Sequence, residues 1–174
     1  MTKKSQIMGQ VFIYILAIVI FSMVLLYGYK AIKGFTKQQE DITLIQLKTQ
    51  VAQTIESISY DTGTVRSPSF DIPAKYKQVC FADLSKLSEA TSIGGPCYST
   101  VWRPREYPII CDSWEAGVEK NLFLVATLEE EPYYVGNITV DNQYGLLCIN
   151  ATQGKIKLRL EGLGDKTKIS EWPK

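Results

Sequence analysis

Four cysteines, Cys80, Cys97, Cys111 and Cys148, are the residues of this sequence whose type and spacing constrain chemistry most sharply. None stands in a C-x-x-C pair, so the usual spacing of zinc ribbons and thioredoxin-type redox sites is missing. An even number of thiols points to two disulfides made in an oxidising compartment; buried free thiols of a cytosolic domain are the alternative. Four cysteines allow three pairings, and sequence order does not choose among them. The pairing we expect is Cys80 with Cys148, joining two predicted strands, and Cys97 with Cys111, closing a loop that contains prolines.

Other reactive side chains are sparse. Histidine is absent, which removes the commonest general acid–base group near neutral pH and the commonest metal ligand. No nucleophile motif replaces it, so neither an enzyme nor a bound cofactor or metal is expected. The run Gly162-Leu163-Gly164-Asp165-Lys166-Thr167 fits neither phosphate-loop pattern and reads as a turn after a strand. Glu129-Glu130-Glu131 reads as a solvated loop. Trp102, Trp114 and Trp172 could stack on sugars but are expected mainly in the core or in contacts between subunits. Two triplets, Asn137-Ile138-Thr139 and Asn150-Ala151-Thr152, satisfy the N-glycosylation rule if the segment lies outside the cell.

Charge is unevenly placed along the 174 residues: positions 1–40 hold five lysines against one acid, leaving fourteen basic and seventeen acidic residues in 41–174. A mildly acidic C-terminal body carries no electrostatic footprint for nucleic acid.

The element that organises the chain is the uncharged stretch Gln10–Tyr29, in which only Ser22 interrupts the apolar run from Val11 to Tyr27. Twenty helical residues reach about 30 Å, the thickness of a bilayer's hydrocarbon core. Residues 1–9 form a basic and polar leader. The apolar run exceeds the length of a signal-peptide core and lacks a small-residue cleavage site, so the helix is expected to stay with the mature protein. Lys3 and Lys4 precede it and Lys30, Lys33 and Lys37 follow it, so lysine counting does not choose an orientation; the cysteines and the two N-x-T triplets favour the head outside.

No proline interrupts the chain before Pro68, so the helix is expected to continue through residues 30–60. There Leu44, Leu47, Val51, Ile55 and Ile58 recur every three or four residues and mark one packing face, with Ile45 and Ala52 expected to widen it. Asp61-Thr62-Gly63 offers a left-handed helix end.

The rest, 61–174, is expected to be a β-rich head. Thr64–Ile72 should be an extended edge, Gln78–Leu84 a strand, 85–91 a short helix and Gly94-Gly95-Pro96 a turn. Tyr98–Trp102 is a further candidate strand, Asp112-Ser113-Trp114-Glu115 resembles a helix start, and Asn121–Thr127 is a buried strand. Tyr133–Val140, Tyr144–Ala151 and Gly154–Glu161 alternate as a three-stranded meander would, and Thr167–Trp172 should close the sheet.

Lys3-Lys4, then Gly9-Gln10-Val11-Phe12 opening a long apolar helix, resembles the N-terminus of archaeal type IV pilins and archaellins. The resemblance covers residues 1–60. Met8 rather than a basic residue precedes Gly9, and Tyr14 stands where many bacterial pilins carry a glutamate. It implies cleavage by a prepilin peptidase between Gly9 and Gln10, and a structural subunit that leaves the membrane with the help of assembly machinery to join copies of itself in a helical filament. Val11, Phe12, Tyr14, Leu16, Ile18, Phe21 and Leu25 would meet lipid first and neighbouring helices afterwards. The fold expected is α+β, with a long N-terminal helix, apolar first and amphipathic second, packed on a mainly antiparallel sheet in the pilin manner. A monomeric single-pass anchor carrying an extracytoplasmic binding domain is the alternative.

Overall fold

A computed structural model describes residues 4–98, 105, 107–126 and 131–172. It opens with one helix, α1 (Lys4–Ser59). The chain divides into two compact units, Met1–Ile42 and Thr43–Lys174. The amphipathic part of α1 from Thr43 on therefore belongs to the same unit as the strands that follow it.

In the second unit, β1 (Val65–Arg66), β2 (Ser69–Asp71), β5 (Ile138–Val140), β7 (Lys155–Gly162) and β8 (Thr167–Glu171) form a five-stranded sheet of order β1-β7-β8-β5, with β2 also paired to β7. Strands β3 (Gln78–Ala82), β4 (Leu122–Val125) and β6 (Leu146–Asn150) form a second sheet of order β4-β3-β6. Every pairing is antiparallel except β5 with β8. The architecture is α+β, as expected, but with two sheets.

Leu44, Leu47, Val51, Ile55 and Ile58 are all buried, in one core with Ile156, Leu158, Leu160 and Ile169 of the larger sheet and Val79, Phe81, Leu122 and Leu124 of the smaller. Full burial of each large aliphatic side chain stabilises by about 1.5–3 kcal/mol, so this stripe fixes where the helix docks. Ile45 does not widen it: it is 62% exposed, because it sits about 120° round the helix from the centre of the stripe. Ala52 does pack against the core.

The smaller sheet is apolar on both faces. Val79 and Phe81 of β3 face the core that holds α1, while Cys80 and Ala82 join Phe123, Leu146, Ile110 and Trp114 in a second cluster. That cluster is covered by α2 (Leu87–Thr91) and α3 (Pro108–Glu115). A 3₁₀ turn at Leu84–Lys86 leads into α2.

This double burial overturns the expected meander. None of β5, β6 and β7 pairs with another of the three; β6 pairs with β3, β7 with β1, β2 and β8, and β5 with β8. Leu146, Leu147, Cys148 and Ile149 are an unbroken apolar run that needs a sheet covered on both faces, whereas Lys155 and Lys157 give β7 one wet face. Residues before Ile138 contribute only an isolated bridge, Tyr133 to Leu122.

The expected helix start at Asp112–Glu115 is corrected too: these residues form the last turn of α3, which begins at Pro108. Proline suits a first helical position because its ring presets φ and no N–H is needed there. Of the remaining expectations, Ser99–Trp102, Thr127 and Glu129–Glu130 lie outside the described residues.

Candidate functional site

The apolar half of α1 turns side chains outward on every face. Val11, Phe12, Tyr14, Leu16, Ile18, Phe21 and Leu25 are exposed, as are Ile13, Ile15, Val19, Val24 and Leu26 between them. Gly9 and Gln10 lie within the helical backbone. Interior helix amides bond within the helix, and the Ser22 hydroxyl donates to the Ile18 carbonyl over 2.8 Å. The segment therefore presents hydrocarbon with its interior backbone groups and the Ser22 hydroxyl paired internally, the condition for residence in lipid or among other apolar helices. By length and composition this helix can cross a membrane.

The amphipathic half is fixed by polar contacts as well as by its stripe. The Thr167 hydroxyl donates to the Ile55 carbonyl over 2.8 Å, in the core. The Gly164 amide donates to the Ser59 carbonyl, and the Gly63 amide to the Gly162 carbonyl, each over 2.8 Å. Gly63 has φ +80°, the left-handed geometry expected after a helix end. A Cβ on Gly162 would stand 2.1 Å from the Ile58 carbonyl oxygen, so only glycine fits there. Gly162, the last residue of β7, and Gly164 just beyond it thus form the dock for the end of α1. Lys48 adds a cation–π contact, its Nζ 3.5 Å from the Tyr133 ring centre.

Just after β3, Asp83 is buried and caps the 3₁₀ turn. Its Oδ1 accepts from the Ser85 amide at 3.0 Å and the Ser85 hydroxyl at 2.6 Å; its Oδ2 accepts from the Thr139 hydroxyl at 2.6 Å. Burial pushes its pKa up, but the hydrogen bonds from Ser85 and Thr139 together outweigh it and hold the carboxyl below its ordinary value. Asn121 is likewise buried, donating to the Gly136 carbonyl at 2.7 Å and accepting from the Val135 amide at 2.9 Å. Asp83, Asn121, Tyr134, Asn137 and Lys166 line a cleft of about 380 Å³, where Asp83 and Asn121 are engaged within the chain.

The two N-x-T triplets differ in setting. Asn137 is exposed and donates to the Asp165 carbonyl at 3.1 Å, and its companion Thr139 is committed to Asp83. Asn150 and Thr152 are exposed at the end of β6, an edge strand.

Cys80 is bonded to Cys148, its register partner across β3 and β6, and Cys97 to Cys111 of α3. Both bonds lie in the cluster under α2 and α3, and no free cysteine is found among the described residues. They fit an oxidising compartment.

Sequence reasoning found the stripe, the apolar rod and the disulfides. It missed Asp83 with Thr139, Asn121, and the role of Gly162 and Gly164. For Asp83 a signal existed: Asp followed two residues later by Ser after a strand is a local capping pattern. The residues assigned to the outward apolar helix and to the docked stripe lie in different compact units of one continuous helix. No protein-family model, no curated protein and no solved structure matches the chain.

Proposed function

We propose that the chain is a structural subunit of an archaeal type IV pilus-like surface filament, assembling through the first half of α1. The observation that carries this reading is the outward display of apolar side chains on all faces from Val11 to Tyr29, on a helix whose stripe from Leu44 to Ile58 is buried in a disulfide-bonded head. A rod of this kind needs an apolar surrounding, and it finds one either in a bilayer or in a core of identical helices. In the proposed sequence of events the helix waits in the membrane with the head outside. A prepilin peptidase then cuts between Gly9 and Gln10, and the rod leaves lipid for the filament without its apolar faces meeting water. Tyr14, Tyr27 and Tyr29 suit both settings, since an amphipathic ring is at home at a membrane interface and between helices.

The test is the state of the native chain at the cell surface. Expected are sheared filaments that contain this chain, visible by electron microscopy, with a mature N-terminus at Gln10 by N-terminal sequencing. Recovery only as a monomer in membrane extracts with Met1 intact overturns the proposal in favour of a single-pass anchor for an extracytoplasmic binding domain.

A further inference from the structure

Between the bridge at Tyr133 and the start of β5 at Ile138 the chain is not a strand, yet buried groups hold it in place. Val135 lies in the core, and the buried Asn121 accepts from its amide at 2.9 Å and donates to the Gly136 carbonyl at 2.7 Å. Gly136 has φ +110°, and a Cβ there would stand 3.2 Å from the Ile55 side chain, so the backbone runs close against α1. Asn137 is tied to the Asp165 carbonyl. In the middle of this anchored run Tyr134 is 54% exposed.

Tyr134 stands where three clefts meet. The cleft of about 380 Å³ already described lies beside it, with Asn137 and Lys166 in its wall. A second, of about 370 Å³, reaches the end of α1 and is lined by Glu56, Tyr60, Asn137 and Asp165 as well; Tyr60 is 72% exposed. A third, of about 720 Å³, is bounded by Leu84, Glu119 and Lys120. These volumes fall within the roughly 300–1,000 Å³ range of small-ligand sites. A lone exposed aromatic is ordinary on a protein surface. Two tyrosines beside clefts walled by polar groups on a fixed backbone offer something more specific. They set an apolar plane next to hydrogen-bonding partners, with little left to order on binding.

That combination selects a ligand with an apolar face and a polar rim. A pyranose ring has this form, with C–H groups on its faces and hydroxyls round its edge. Charge narrows the class. The three clefts hold four carboxylates, Glu56, Asp83, Glu119 and Asp165, against Lys120 and Lys166, a balance of two negative charges, which does not attract an anionic sugar, a phosphate or a sulfate. The Lys166 ammonium takes part in no ion pair among the described residues, so its protons are available to hydroxyls. A sugar carried on Asn137 itself fits less well, because that amide is held by Asp165 and the Thr139 hydroxyl by Asp83.

We infer that Tyr134, with Tyr60, Asn137 and Lys166, forms a binding site for a neutral saccharide supplied from outside the chain, one pyranose face resting on the Tyr134 ring. The site lies wholly in the second compact unit. It goes beyond the filament reading without resting on it, since a filament subunit and a single anchored copy would carry it alike.

Saturation-transfer NMR on the full-length chain, held in a detergent with no sugar headgroup, tests the site with maltose, cellobiose, lactose and N,N′-diacetylchitobiose as probes. Transfer to at least one of the four is expected, and none to glucuronic acid. Tyr134→Ala should weaken that binding by roughly tenfold, as loss of an aromatic anchor does, while Tyr134→Phe should retain it. Trp172→Ala alters an exposed tryptophan that lines none of the three clefts and should leave binding unchanged. Matching unfolding midpoints check that the Tyr134 variants are folded. No transfer to any of the four probes overturns the proposal, and so does binding that Tyr134→Ala leaves intact or that glucuronic acid shares equally. A glycan found on Asn137 of the native chain by mass spectrometry also overturns it, by assigning the cleft to the chain's own sugar. If Tyr134→Ala abolishes filaments while the wild-type chain binds no sugar, the ring belongs to contacts between copies; the filament reading then survives and the saccharide site does not.

Discussion

The amide of Gly164 donates to the carbonyl of Ser59 over 2.8 Å, closing one of the four carbonyls that the end of a helix leaves without an internal partner. Two residues earlier the chain passes so close to the helix that a Cβ at Gly162 would stand 2.1 Å from the Ile58 oxygen and 2.3 Å from that of Asp61. The turn between β7 and β8 is thus the socket of α1. Gly162→Ala is expected to lower the stability of the head by about 1–3 kcal/mol through forced backbone displacement. Gly28→Ala, where a Cβ meets nothing within 4 Å, should leave the head's unfolding midpoint in denaturant unchanged.

Two isoleucines on the same helix separate packing from composition. Ile55 is fully buried and Ile45 is 62% exposed. Ile55→Ala should cost about 2–5 kcal/mol; Ile45→Ala should stay within about 0.5 kcal/mol. Chemical denaturation of the two variants side by side checks this, and equal losses would refute the stripe.

Asp83 sets an acid limit. Burial raises its pKa, the bonds from Ser85 and Thr139 outweigh that, and the folded value lies below the ordinary one. Its contribution is therefore complete above the unfolded carboxylate pKa near ~3.9 and declines as pH falls through the lower folded value. Thr139→Val removes one donor from the buried carboxylate and should cost about 1–3 kcal/mol at pH 7. The difference from wild type should shrink as the pH falls below the folded pKa, measured as unfolding midpoints over an acid series.

The disulfides give a prediction that needs no variant. The non-reduced chain should resist alkylation by a thiol reagent, and peptide mapping should join Cys80 to Cys148 and Cys97 to Cys111. Reduction should destabilise the head by about 2–4 kcal/mol per bond, and free alkylation of the native chain would contradict both bonds.

Local patterns in the sequence specified the local elements. The stripe from Leu44 to Ile58 was legible because helical spacing alone selects a face, and the apolar rod because no soluble helix needs hydrocarbon all round. The strand pairing was not legible. Alternation at Tyr133–Val140 looked like a third strand of a meander, yet nothing local reveals that Asn121 takes hold of the Val135 amide and the Gly136 carbonyl instead. The unbroken apolar run from Leu146 to Ile149 did carry the clue that β6 belongs to a doubly covered sheet. Gly162 to Thr167 reads as a turn after a strand; Gly164 lies in that turn, whereas Gly162 still belongs to β7 and pairs with Thr167, and the partner of both glycines, the end of α1, is about a hundred residues earlier in the chain, beyond the reach of any local pattern.

That distance also bears on the order of events during synthesis. Thr167, whose hydroxyl bonds the Ile55 carbonyl, follows it by 112 residues, and β8 lies inside its sheet with neighbours on both sides. The rod of α1 can enter a membrane as soon as it emerges, because its hydrogen bonds are all local. Val51, Ile55 and Ile58 must stay uncovered until β7 and β8 have been made and delivered to the same side. Anchoring is thus early and head closure late, and the interval between them is when this chain is open to premature association with its siblings.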